Sequence, residues 1–198
     1  MTELDRALQS TLAILTKVQP ADLDAATPCA SWNVRALINH FVGTARWWAS
    51  VISGESDTDA DQADYAGGDF VAAYEESIRI AVAAFEADGV PDKTVSLPFG
   101  EFPGAVVLDM AAVEQFTHGW DLARAIGYRA DLDPGLATEL LGRARLAVTD
   151  AFRGRDGQAL FAPAVEALAG PPAGRSAGPL PREAGVAAAG PEVSPCRG

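Results

Sequence analysis

At 198 residues, with 48% apolar and 21% charged side chains, the chain suits one folded domain with some additional sequence. Its net charge of −12 excludes a concentrated phosphate-binding surface. Basic residues are scattered singly, as at Arg6, Arg35, Arg46, Arg79 and Arg124, so neither nucleic acid nor a membrane is expected as a partner.

Glu3 and Asp5 precede any apolar run that would make a signal peptide. No stretch approaches the ~20 apolar residues of a transmembrane helix. Cys29 and Cys196 form neither a CxxC metal pattern nor a disulfide framework, and the expected compartment is the cytoplasm.

Apolar spacing predicts five helices. The first spans about Thr2 to Val18, with Leu4, Leu8, Leu12 and Leu15 on one face and Pro20 beyond it. The second follows Pro28 and runs from Asn33 to about Ser53, carrying Val34, Leu37, Ile38, Phe41, Ala45 and Trp48 on a broad stripe. Gly54 opens an acidic linker that lasts to Gly68. Asp69 suits the cap of a third helix reaching Ala87, with Phe70, Tyr74, Ile78, Ala81 and Phe85 along it.

Thr94 to Leu97 and Glu101-Phe102 flank Pro98-Phe99-Gly100, the pattern of a small hairpin. A fourth helix is predicted from Pro103 to about Ile126, ended by Gly127. A fifth is predicted from Asp133, a cap with Pro134 in the first turn, to about Phe152. Residues 1–163 thus read as the folded domain, and they hold the whole acidic excess, 12 basic against 24 acidic residues. Residues 164–198 are rich in Ala, Gly and Pro and are expected to be disordered, since they bury too little surface to offset chain entropy.

The chain has only two histidines, so imidazole chemistry rests on His40 and His118. Glu114 precedes His118 by four residues, which places the pair about 40° apart on one helical face. Asp121 follows three residues on, along the same face. If the second and fourth helices pack together, His40 completes a His/Glu/His set with a coordination position left open, as in catalytic zinc sites. Spacing alone is more usually that of a surface i,i+4 pair, and His40 alone also fits a hydrogen-bonded histidine at the core edge.

Two segments carry more information. Thr27-Pro28-Cys29-Ala30-Ser31-Trp32-Asn33-Val34-Arg35-Ala36-Leu37-Ile38-Asn39-His40, with Glu114-Gln115-Phe116-Thr117-His118-Gly119-Trp120-Asp121-Leu122-Ala123-Arg124-Ala125, strongly resembles the DinB-like superfamily. Within it, the chain is similar to actinobacterial proteins related to the metal-binding domain of mycothiol-dependent maleylpyruvate isomerase. The segment Leu97 to Ala105 is similar to the hairpin-to-helix junction of that group.

The resemblance implies an all-α fold: a DinB-like four-helix bundle with a small β-hairpin before the fourth helix and an extra C-terminal helix. It implies His40, Glu114 and His118 as ligands of a divalent metal, usually zinc, although iron, nickel and manganese suit such donors too. It also implies mycothiol, or a similar small thiol, as co-substrate, with a metal-bound thiolate attacking a small electrophile in S-transferase chemistry. Alternatives are a non-catalytic metal- or ligand-binding module and a metal-dependent hydrolase. Around the site, Asp121 is a candidate acceptor for an imidazole N–H, and Trp32 and Trp120 are candidate packing residues. Cys29 reads as a small buried residue at a helix start, and Arg124 as a partner for an anionic substrate or a surface carboxylate. A homodimer is compatible with such a bundle.

Two departures from the group shape the expectation. Maleylpyruvate isomerases carry a second, C-terminal domain that helps build the active site, and no folded sequence is expected here to supply it, so isomerase activity itself is not expected. Relatives also tend to end in a short apolar helix. The stretch after Pro163 lacks that pattern, the expectation for a C-terminus altered by frameshift or divergence.

Overall fold

Local sequence chemistry sets where the helices begin. In the computed structural model, which describes residues 2–29, 31–55, 63–147 and 153–154, the Thr2 hydroxyl accepts from Asp5 N at 3.2 Å and opens α1 (Glu3–Leu15). The Asn33 amide oxygen accepts from Ala36 N at 2.9 Å and opens α2 (Val34–Ser53), which Gly54 ends in the left-handed region with φ 79°. Asp69 accepts from Ala72 N at 3.0 Å and opens α3 (Phe70–Phe85). Each cap satisfies an amide that the first helical turn leaves without a partner.

The hairpin β1 (Thr94–Leu97) and β2 (Gly100–Pro103) is antiparallel and pairs Val95 with Phe102 and Leu97 with Gly100. It turns Val95 and Leu97 into the core. Directly after it comes α4 (Gly104–Ala125), whose first residue must be glycine for a steric reason. A Cβ on Gly104 would stand 1.9 Å from the Val90 carbonyl oxygen. The last described helix is α5 (Pro134–Ala147).

Among the described residues, the architecture is the expected all-α bundle with a small hairpin before the fourth helix and a fifth helix after it. The first helix is shorter than its apolar stripe suggests. Lys17 N and Val18 N reach back only three residues, to Ile14 and Leu15, so the chain tightens out of α-helix before Pro20. The expected extension of the fifth helix to Phe152, the boundary at Pro163 and the tail from 164 to 198 fall outside the described residues. No described helix is long and apolar enough to cross a membrane.

Helix α1 lies against α4, α2 lies between α3 and α4, and α5 covers the outer side of α4. Leu4, Leu8, Leu37, Ile38, Phe41, Tyr74, Leu122 and Leu136 are all buried where these helices meet. Phe41 and Tyr74 meet edge to face, 5.0 Å between centroids at 74°, the arrangement aromatic quadrupoles favour. Arg6 pairs with Asp133 at 2.9 Å, and Arg143 joins Glu3 and Asp109, so charged side chains fasten α5 to α1 and α4.

Helices α1 and α4 approach closely at Gly119. Thr11 Oγ1 donates to the Gln115 carbonyl at 2.8 Å, and a Cβ on Gly119 would lie 2.2 Å from that hydroxyl and 3.0 Å from the Thr11 backbone. Gly119→Ala is therefore expected to destabilise the protein by about 1–3 kcal/mol, the range for overpacking. Denaturant titration checks it.

A second expectation concerns Asp133. It caps α5 by accepting from Leu136 N at 2.9 Å. That bond, with Arg6 beside it, holds its carboxyl below the usual 3.8 even though burial acts the other way. Asp133→Ala should cost about 0.5–2 kcal/mol at neutral pH. A depressed carboxylate stabilises fully above its unfolded value and loses that contribution as pH falls through its folded value. The difference in stability between wild type and Asp133→Ala should therefore hold constant above about pH 5 and narrow in stronger acid, read by urea unfolding across pH.

Candidate metal centre

Helix α4 is unusual in burying polar side chains through its middle. Glu114, Gln115, Thr117, His118 and Asp121 are all buried, because α1, α2 and α5 cover the helix from several sides. Burial of a carboxylate demands partners, and most of these come from α2. His40, Thr44 and Trp48 occur at i, i+4 and i+8, one face of α2, and all three reach Glu114.

The geometry is compact. His40 Nε2 lies 3.3 Å from Glu114 Oε1, and His118 Nε2 lies 3.5 Å from the same oxygen. Donor atoms of a tetrahedral zinc ion, bonded at ~2.0–2.1 Å, stand about 3.3–3.4 Å apart. His40, Glu114 and His118 each offer one donor atom, all within 4.8 Å of one another, a cluster that could hold a metal ion.

A second observation supports the fit. The His118 side chain is completely buried, yet neither of its ring nitrogens makes a hydrogen bond. A buried imidazole normally satisfies both nitrogens, and an ion at the shared focus satisfies Nε2. The other nitrogen, Nδ1, faces Asp121 Oδ2 at 3.4 Å, and Asp121 is itself fully buried. That is the place of a carboxylate that fixes an imidazole's orientation and tautomer.

The remaining contacts of Glu114 divide between its two oxygens. Thr44 Oγ1 donates to Oε1 at 2.7 Å. Gln115 Nε2 donates to Oε2 at 2.9 Å and Trp48 Nε1 donates to Oε2 at 3.3 Å. Burial by itself would raise the pKa of Glu114. The His40 contact, the two imidazoles and the Thr44 hydroxyl outweigh burial and hold the carboxyl below its ordinary value, so it is a carboxylate at neutral pH.

Aromatic rings form one wall. Trp32 packs against His40, tilted by 40° with 4.4 Å between centroids, and lies 5.8 Å from His118, and the two imidazoles cross at 89°. Cys29 is buried beside them, its Sγ 3.7 Å from Asp121 Oδ2. The His40 side chain keeps 24% exposure while His118 keeps none, so the cluster opens to solvent on the α2 side.

Of the residues singled out in the sequence, His40, Glu114, His118, Asp121 and Trp32 meet at this one place. Trp120 lies about 200° around α4 from His118, with the Arg124 guanidinium 5.8 Å over its ring. Arg124 thus packs on an indole and not against the His/Glu/His cluster. Thr44, Trp48, Gln115 and Tyr74 escaped the sequence reading as site residues. The signal for two of them was present, since Thr44 and Trp48 continue the spacing set by His40.

Comparison with known proteins agrees with the site. The model of the mycothiol maleylpyruvate isomerase N-terminal domain matches residues 4–123, which include all three candidate ligands. Two uncharacterized proteins of Mycobacterium tuberculosis, MT0763 of strain CDC 1551 / Oshkosh and Rv0738 of strain H37Rv, are each 38% identical over 153 residues, 75% of this chain and 79% of their own length. No solved structure matches it. With that match over more than half its length, and with the His/Glu/His cluster in place, the chain belongs to the mycothiol maleylpyruvate isomerase N-terminal domain family.

Proposed function

We propose that the protein binds one divalent metal ion, best suited to zinc, through His40, Glu114 and His118, and uses it with a mycothiol-type thiol to modify a small electrophile. The observation that carries this reading is the convergence of two imidazole nitrogens on a single carboxylate oxygen, at 3.3 and 3.5 Å, inside the bundle. Two neutral imidazoles and one carboxylate leave a divalent ion with net positive charge. When bound, the ion supplies the charge that lets a thiol in the open position lose its proton at neutral pH.

The chain's own residues prepare that chemistry. Glu114 brings the single negative charge, kept ionised by its neighbours. Asp121 faces the rear nitrogen of His118, which leaves Nε2 with its lone pair toward the cluster. Trp32 covers the imidazoles and keeps water from one side. The partly exposed His40 marks the side from which a small thiol and electrophile approach. The matching family model describes an N-terminal domain and ends at residue 123. The proposal accordingly takes over thiol and metal chemistry and not isomerisation.

Elemental analysis of purified protein should give about one metal per chain. Conjugation of a small thiol to an activated aryl halide should require that metal, stop with a chelator and return with added zinc. His118→Ala should weaken metal binding by at least ~100-fold, beyond the 10–100-fold that follows loss of an outer partner. Metal removal should also lower the melting temperature of wild type, since an ion that binds only the folded state stabilises it. Stoichiometric metal with no thiol binding would instead identify a non-catalytic module, and thiol-independent ester or amide cleavage a hydrolase.

A further inference from the structure

The interior beneath Glu114 holds a chain of polar side chains that goes beyond ligand binding. Tyr74 Oη donates to Gln115 Oε1 at 2.7 Å. Gln115 Nε2 faces Glu114 Oε2 at 2.9 Å, the Phe41 carbonyl at 3.1 Å and Thr44 Oγ1 at 3.2 Å. Carboxylate and carbonyl oxygens only accept, so the nitrogen of the amide must be the end that points at them. The Tyr74 hydroxyl, which burial keeps firmly protonated, then supplies the proton that the other end needs. Tyr74 and Gln115 are both buried, and Tyr74 stands on α3, well separated in sequence from the cluster.

The consequence falls on one oxygen. Glu114 Oε2 is held by Gln115 and Trp48, whereas Oε1 is the oxygen that both imidazoles face. A free carboxylate can grip an ion with both oxygens and so fill the position that an incoming thiol needs. We propose that Gln115, aligned by Tyr74 and assisted by Trp48, is a positioning residue that restrains Glu114 to one-oxygen coordination and thereby keeps a coordination position open for an exogenous ligand. The inference rests on the metal-binding reading of the same cluster. Gln115 touches no reacting group and acts through Glu114.

The test uses the full-length protein loaded with Co2+, whose visible absorption reports coordination number, together with competition against a chromophoric chelator for affinity. Tyr74→Phe removes one hydroxyl, Gln115→Met removes the donor while keeping volume, and a third variant combines them. Both single variants should bind metal about 10–100-fold more weakly. Their cobalt bands should weaken and shift toward those of higher coordination, and a small thiol such as 2-mercaptoethanol should perturb them less than it perturbs wild type.

Because Tyr74 works through Gln115, the double variant should lose no more affinity than Gln115→Met alone, whereas unrelated packing defects would add. Should Gln115→Met fail to fold, the affinity, cobalt spectrum and thiol response of Tyr74→Phe and of Trp48→Phe, each taken singly, carry the test. Wild-type affinity, spectrum and thiol response in the folded variants overturn the inference and leave the metal site standing. Additive losses with an unchanged spectrum overturn it as well. A wild type that takes up no metal overturns the site itself.

Discussion

An ionised carboxylate inside a helical bundle governs the arrangement around it. Glu114 is buried, and a bare carboxylate there would cost several kcal/mol in lost hydration. Five side chains answer that demand: His40, Thr44 and Trp48 from α2, and Gln115 and His118 from α4 itself. Apolar packing alone would tolerate a slip of one turn, about 5.4 Å, between two helices with such broad stripes. The three contacts from α2 would not survive it. Electrostatic satisfaction therefore helps to fix the register of α2 against α4, and the same register brings the imidazoles together.

Helix α4 can bury so many polar groups because its neighbours come close enough to answer them. Gly119 admits Thr11 of α1 to within hydrogen-bonding reach of the α4 backbone, and Gly104 lets the helix start against the Val90 carbonyl. Tyr74 reaches in from α3. The interior is thus a connected polar network set within a shell of Leu, Ile, Phe and Val, and all four helices of the bundle contribute to it. Such a network rigidifies a core when its members are satisfied. An unsatisfied buried atom is then informative, and His118 Nε2, at the focus of the cluster, is one.

The site is asymmetric in a way that suits a small ligand. His118 is sealed, braced from behind by Asp121, while His40 stands at the edge with Trp32 packed against it. A rigid deep ligand and a partly exposed one leave a single side for approach. The relatives found by comparison are themselves uncharacterized, so the functional proposal takes its metal from this cluster and its thiol from the matching family.

Much of this was legible along the chain. The caps at Asp69 and Asp133, the hairpin before α4 and the shared face of Glu114, His118 and Asp121 are local matters, decided by side-chain reach and helical period. The family motifs paired His40 with that face. The same period sets Trp120 about 200° around α4 from His118, on another side of the helix. Local pattern could not show that Gln115 reaches the Glu114 carboxylate or that Tyr74 reaches Gln115. Periodicity reports which residues share a face, but a hydrogen bond between distant segments exists only once helices dock in a particular register. Tertiary packing alone made that choice.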